Sequence, residues 1–147
     1  MIAYFGTSAL LNLVIAEKGA DQAILLWQQA SEVVVSRLAW PEAVAALAAA
    51  HRGRRVSNEG YQTAADGLRL CFERCTMVSI ADFLVDRAAD LAAGYDLRAV
   101  DAIHLATALA VVEADSLFVT WDRRLRLAAV QAGLVTSPAD SDRDRPL

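Results

Sequence analysis

The chain is poor in cysteine, nearly free of lysine, and has no long apolar run. Its two cysteines, Cys71 and Cys75, lie four apart. That spacing suits neither a disulfide framework nor the usual metal-ligand pattern, so they read as small core residues in a reducing compartment. The longest apolar run, residues 43–50, falls far short of the about 20 residues that span a bilayer. No charged leader and no long apolar segment stand at the N-terminus, which makes a cytoplasmic location the expectation. The formal net charge of −4 argues against a general nucleic-acid coat, which is basic overall, and leaves room for a local basic patch.

What is present is 147 residues, 56% of them hydrophobic, enough for one full core. A single domain is expected over residues 1–138, followed by a polar, disordered tail over 139–147. Residues 2–5 are a short apolar run closed by Gly6-Thr7-Ser8, a strand followed by a helix that Thr7 or Ser8 caps and that carries Leu10, Leu11, Leu13 and Val14 toward Glu17. A second helix follows Gly19. The β-branched run at 32–36 is the clearest strand. Further strands are expected at 76–80, 116–120 and 134–136. Helices are expected from about Trp40 to His51, from 57 to 72, from 81 to a stop at Gly94, from Arg98–Asp101 to about Ala114, and from Asp122 to Gln131. Strands alternating with helices imply a parallel sheet flanked on both faces, with its ligand site outside the carboxyl ends of the strands.

The informative residues fall at that edge. Glu42 follows the second strand, Asp122 follows the strand ending in Thr120, and Asp101 opens an alanine-rich helix that must reach the same edge. Alone, each has an ordinary role, either capping a helix or complementing its dipole. Together they carry chemistry. Carboxylates about 4 Å apart repel by roughly 4 kcal/mol at an effective dielectric of 20, so three in one pocket need protons or a cation. All-oxygen ligands select hard ions such as Mg²⁺ or Mn²⁺, which neutralise charge in phosphodiester hydrolysis. His104, three residues after Asp101, is expected to be packed or hydrogen-bonded and not a ligand. A phosphoacceptor domain would also place acids at strand ends, but it needs a lysine near the pocket. Lys18, the only lysine, lies late in the expected first helix.

Four stretches taken together give a resemblance: Tyr4-Phe5-Gly6-Thr7-Ser8-Ala9-Leu10, Ser36-Arg37-Leu38-Ala39-Trp40-Pro41-Glu42, Leu97 to Ala106 (LRAVDAIHLA), and Val119-Thr120-Trp121-Asp122-Arg123-Arg124-Leu125. In this order the chain resembles a PIN-domain ribonuclease of the VapC type, the toxin of a bacterial toxin–antitoxin pair, from Ile2 to about Pro138. The resemblance implies a three-layer α/β/α fold, with a doubly wound parallel sheet of four to five strands and about seven helices. It also implies RNA cleavage at an Mg²⁺ or Mn²⁺ site. A homodimer is implied as well, together with a VapB-type antitoxin whose C-terminal segment lies across the groove. Glu42, Asp101 and Asp122 match the acidic catalytic and metal-holding positions, with Thr7 and Thr120 in support. Arg98, Arg123 and Arg124 would steer RNA. The cluster Arg52, Arg54 and Arg55 either touches RNA or antitoxin or solvates a helix end.

One position departs from the pattern. Where the family carries a metal-ligating aspartate before Thr-Ser, this chain has Gly6, which has no ligand atom. Losing even an outer partner of a metal site costs about 10–100-fold in affinity or activity, so at least that loss is expected. The chain is thus an inactivated toxin by hypothesis, either engineered or selected to spare its host, or a natural degenerate member. The competing reading is a non-catalytic PIN-fold protein that binds antitoxin or RNA.

Overall fold

The computed structural model describes residues 1–111 and 113–139. The expected tail lies, from residue 140 on, outside the described residues. Five short strands, β1 (Ile2–Phe5), β2 (Glu32–Ser36), β3 (Thr76–Val78), β4 (Leu117–Val119) and β5 (Thr136–Ser137), form one sheet in the order β3-β2-β1-β4-β5. Every pairing is parallel, with Tyr4 beside both Val34 and Phe118. Among the described residues seven helices accompany it: α1 (Thr7–Leu11), α2 (Ala20–Gln29), α3 (Ala39–Arg52), α4 (Asn58–Glu73), α5 (Asp82–Tyr95), α6 (Ala99–Val111) and α7 (Arg123–Gln131). This is the expected doubly wound, three-layer arrangement. None of these helices is long and apolar enough to cross a membrane.

Both faces of the sheet are covered, which is why β1 and β2 are nearly continuous apolar runs. Successive side chains on a strand alternate between faces, and β1 divides accordingly. Ala3 and Phe5 enter one core with Leu10, Ala43, Leu68 and Phe72, from α1, α3 and α4. Tyr4 enters the other with Leu84, Ala102, Leu105 and Leu125, from α5, α6 and α7. Tyr4 stacks on Phe118 at 5.3 Å between ring centres. The chain builds β1, β2 and β3 outward in one direction and then crosses to β4 and β5 on the other side of β1. The reversal of strand order beside β1 opens a crevice at the carboxyl ends.

Several boundaries differ from the sequence expectation. The first helix stops at Leu11, and the chain continues in tight turns, Leu13 N–H to Leu10 O and Val14 N–H to Leu11 O. These turns tuck Val14 against α4, where a Cβ on Gly67 would approach its Cγ1 to 3.2 Å. Neither Thr7 nor Ser8 caps that helix. Gly6 is the N-cap residue, and no side chain bonds there. Helix α5 runs past Gly94 and ends at Asp96, which takes the left-handed conformation with φ of 50°. Aspartate tolerates that geometry better than most residues. The last strand is Thr136–Ser137, shifted toward the C-terminus from 134–136. Cys71 and Cys75 are free and half-buried, at the margin of the core and not inside it.

Candidate active site

The crevice at the carboxyl edge holds a cavity of about 110 Å³ lined by Thr7, Ser8, Glu42, Arg98, Asp101, His104, Thr120, Asp122 and Leu125. All five residues singled out as acidic or supporting, Glu42, Asp101, Asp122, Thr7 and Thr120, therefore meet in one place. They arrive on four levers, with Thr120 and Asp122 sharing the connection from β4 to α7. Glu42 stands in the first turn of α3 just after β2, Thr7 opens α1 after β1, and Asp122 is the N-cap of α7 after β4. Asp101 comes from the first turn of α6. The left-handed turn at Asp96 ends α5 and lets α6 start two residues after Leu97, on the same edge as the strand ends.

Glu42 is gripped from behind. Thr7 Oγ1 donates to its Oε1 at 2.9 Å, and His104 Nε2 lies 2.5 Å from the same oxygen. Burial alone would raise the Glu42 pKa. The His104 hydrogen bond and charge, then the Thr7 hydroxyl and Arg98, outweigh it and hold the carboxyl below its ordinary value. Asp101 and Asp122 share a cation. Arg98 Nε donates to Asp101 Oδ2 at 3.0 Å, and Arg98 Nη2 lies 3.7 Å from Asp122 Oδ2. Hydrogen bonding and charge from Asp101, then charge from Asp122, raise the arginine pKa further. The other Asp122 oxygen accepts from Leu125 N–H at 2.9 Å, the N-cap bond of α7.

Ser8, which the sequence offered only as a helix cap, ties the strand ends together with Thr120. Ser8 Oγ bonds Thr120 Oγ1 at 3.2 Å and accepts from Trp121 N–H at 2.8 Å, while Thr120 Oγ1 accepts from Asp122 N–H at 3.1 Å. Thr120 thus supports Asp122 through its backbone. Arg126, unforeseen in the sequence, is buried, with Nη1 3.4 Å from Thr120 O. A polar residue flanking a strand end was the only available signal for Ser8. Of the arginines expected to steer RNA, Arg98 lines the acidic cavity. Arg123 and Arg124 are exposed on α7 and line neighbouring grooves with Trp121 and with Tyr95. The cluster Arg52, Arg54 and Arg55 sits at the far end of α3 from Glu42.

Three carboxylates and two threonine hydroxyls are oxygen donors of the kind a hard divalent cation takes. As they stand, no three His, Cys, Asp or Glu side chains among the described residues are grouped closely enough to hold an ion. The set fits such an ion in kind and falls short in number. Gly6 stands beside Thr120 at the cavity's edge, where a Cβ would meet Thr120 Oγ1 at 3.3 Å and Thr120 Cβ at 3.4 Å. Its φ of −71° and ψ of 167° are open to any residue. An aspartate at position 6 would need Thr120 to give by only a few tenths of an ångström.

Comparison with known proteins agrees with this fold. The PIN domain family matches residues 3–131. Ribonuclease VapC45 of Mycobacterium tuberculosis is 36% identical over 141 residues, which cover 96% of this chain and 98% of that one. Among solved structures, a toxin–antitoxin complex from Klebsiella pneumoniae aligns with a TM-score of 0.58 at 24% identity, over 80% of this chain and 84% of the other. The Sarcin-Ricin loop cleaving toxin VapC20 of Mycobacterium tuberculosis aligns with a TM-score of 0.62 at 16% identity, over 90% and 96%.

Proposed function

The chain belongs to the PIN-domain family, and on that premise we propose that it is the toxin of a toxin–antitoxin pair, a metal-dependent endoribonuclease weakened by Gly6. The observation that carries this reading is the convergence of Glu42, Asp101 and Asp122, from three separate elements, on one cavity at the carboxyl edge of a parallel sheet. Those three carboxylates would hold the ion. A divalent cation, Mg²⁺ or Mn²⁺, supplies charge neutralisation at the phosphoryl group and activation of water. Thr7 fixes Glu42 and Thr120 fixes the Asp122 backbone. Arg98, with Arg123 and Arg124 at the flanking grooves, draws in the phosphodiester backbone. The partners are RNA, a second copy of the chain, and a VapB-type antitoxin that covers the groove. The 36% identity to a protein named a ribonuclease supports the substrate class.

Gly6 gives the second reading its footing. With one ligand position empty of any oxygen, the chain would keep its fold and its antitoxin partner without its chemistry. Cleavage of total bacterial RNA by this chain and by Gly6→Asp, each freed of antitoxin and supplied with Mg²⁺ or Mn²⁺, separates the two. The nuclease reading expects Gly6→Asp to cut at least about 10–100-fold faster, and Asp101→Ala in that background to abolish cutting. Absence of cutting by both proteins across several RNA classes, with the fold intact by circular dichroism, favours the binding protein.

A further inference from the structure

His104 is only 2% exposed and both of its ring nitrogens are engaged. Nδ1 lies 2.9 Å from the Tyr4 hydroxyl, and Nε2 lies 2.5 Å from Glu42 Oε1 and 3.3 Å from Thr7 Oγ1. The protons on this chain of groups can be assigned. Burial, the largest influence on Tyr4, pushes its pKa up and keeps the phenol protonated, so Tyr4 has a hydrogen to give. Glu42 Oε1 already accepts from the Thr7 hydroxyl, and a bare Nε2 lone pair facing that acceptor oxygen at 2.5 Å would be repelled. Nε2 therefore carries a proton and donates it to Oε1, whether Nδ1 accepts from Tyr4 or carries a second proton. An imidazole nitrogen that is donating a hydrogen has no lone pair left for a metal.

We propose that His104 is a positioning residue: anchored by the Tyr4 hydroxyl, it fixes Glu42 through Oε1 and so leaves Oε2 as the oxygen offered to a divalent cation. The proposal rests on the metal-nuclease reading above. Thr7 donates to the same oxygen, so two donors on different elements define one carboxylate plane. The anchor itself comes from the face alternation of β1, which sends Tyr4 into the core beneath α6. Asp101 and His104 lie three apart on α6 and so share a face. One turn of helix thereby carries a candidate ligand and the residue that aims another. Buried partners that orient ligands typically contribute about 10–100-fold to metal affinity.

The test is Mn²⁺ binding, followed by the loss of the free-ion electron paramagnetic resonance signal, on the full chain and on Gly6→Asp. Each protein is compared with its His104→Leu, His104→Gln and Tyr4→Phe variants. Glutamine can place an amide N–H near the Nε2 position but has no atom at the Nδ1 position that meets Tyr4. Phenylalanine keeps the stack on Phe118 and the core volume, so Tyr4→Phe tests the anchor even where His104→Leu fails to fold. The expected result is a loss of about 100-fold for His104→Leu, and of about 10-fold for both His104→Gln and Tyr4→Phe. His104→Gln as weak as His104→Leu would overturn the proposal, because a donor restored to Oε1 should recover part of the binding. Unchanged binding in Tyr4→Phe and in folded His104→Leu would overturn it too. A Gly6→Asp parent that takes up no Mn²⁺ sinks the metal reading itself, a result distinct from a binding parent with indifferent His104 variants.

Discussion

Glu42 meets the cavity with His104 and Thr7 behind it, whereas Asp101 and Asp122 meet it with Arg98 in front of them. The first carboxylate is held by donors set in the β1–α6 core and at the start of α1. The other two share a guanidinium whose side chain is 72% exposed. A buried donor cannot exchange its partner for water, and an exposed one can. One side of the site is therefore preorganised, while the other is charge-compensated by a cation that can move away. A divalent ion entering between them would find Glu42 already in place and would have to displace Arg98.

The largest break in this contrast should come from truncating each acid in turn. Glu42→Ala leaves the His104 Nε2–H and the Thr7 hydroxyl without their acceptor, and an unsatisfied buried donor costs about 1–3 kcal/mol. Asp122→Ala removes the N-cap of α7, a loss of about 1 kcal/mol. Asp101→Ala gives up an exposed partner and relieves repulsion from the other two acids, so it should cost least. Urea unfolding at neutral pH checks the ranking. Asp101→Ala as the most damaging variant would mean that the Arg98 side is as rigid as the Glu42 side.

Acid sharpens the same comparison by a smaller amount. The folded-state pKa of Glu42 lies below its ordinary 4.5, so near that pH the unfolded chain binds the proton that the folded chain excludes. The stability Glu42 contributes is therefore complete above pH 4.5 and is lost as pH falls through the folded value. The native chain should exceed Glu42→Gln in stability at about pH 6, with the gap closing in acid. A gap that is constant with pH would mean that His104 and Thr7 hold a neutral oxygen as well as a charged one.

The sheet and the acids were legible in sequence for a local reason. Buried parallel strands are short apolar runs, and Glu42 and Asp122 follow two of them directly. Asp101 follows no strand, and only its place in the LRAVDAIHLA stretch pointed to it. Gly6 was visible as a departure only against the resemblance, and the structure adds that its backbone does not require glycine. What escaped were pairings set by tertiary contact. Tyr4 and His104 are 100 residues apart, and no periodicity within β1 or α6 joins them. Ser8 looks like an ordinary helix cap until Thr120, 112 residues later, draws its hydroxyl across the strand ends. The end of the first helix likewise follows from Val14 packing on α4.

Arg98→Ala is the mildest change and the one whose sign matters most. Its side chain is exposed, so unfolding in urea should be unchanged. Its effect on Mn²⁺ should run opposite to that of His104→Leu. The guanidinium donates to the Asp101 oxygen at 3.0 Å and stands beside Asp122, so it occupies by charge the place a metal would take. Removing it frees that oxygen and leaves the cavity more negative, and Mn²⁺ should bind severalfold tighter. Exposed charges are screened within about 8 Å at physiological ionic strength, so the gain should shrink as monovalent salt is raised. Weaker binding by Arg98→Ala would show that the arginine orders Asp101 as His104 orders Glu42. Both sides of the cavity would then be preorganised, and Gly6 alone would separate this site from a complete one.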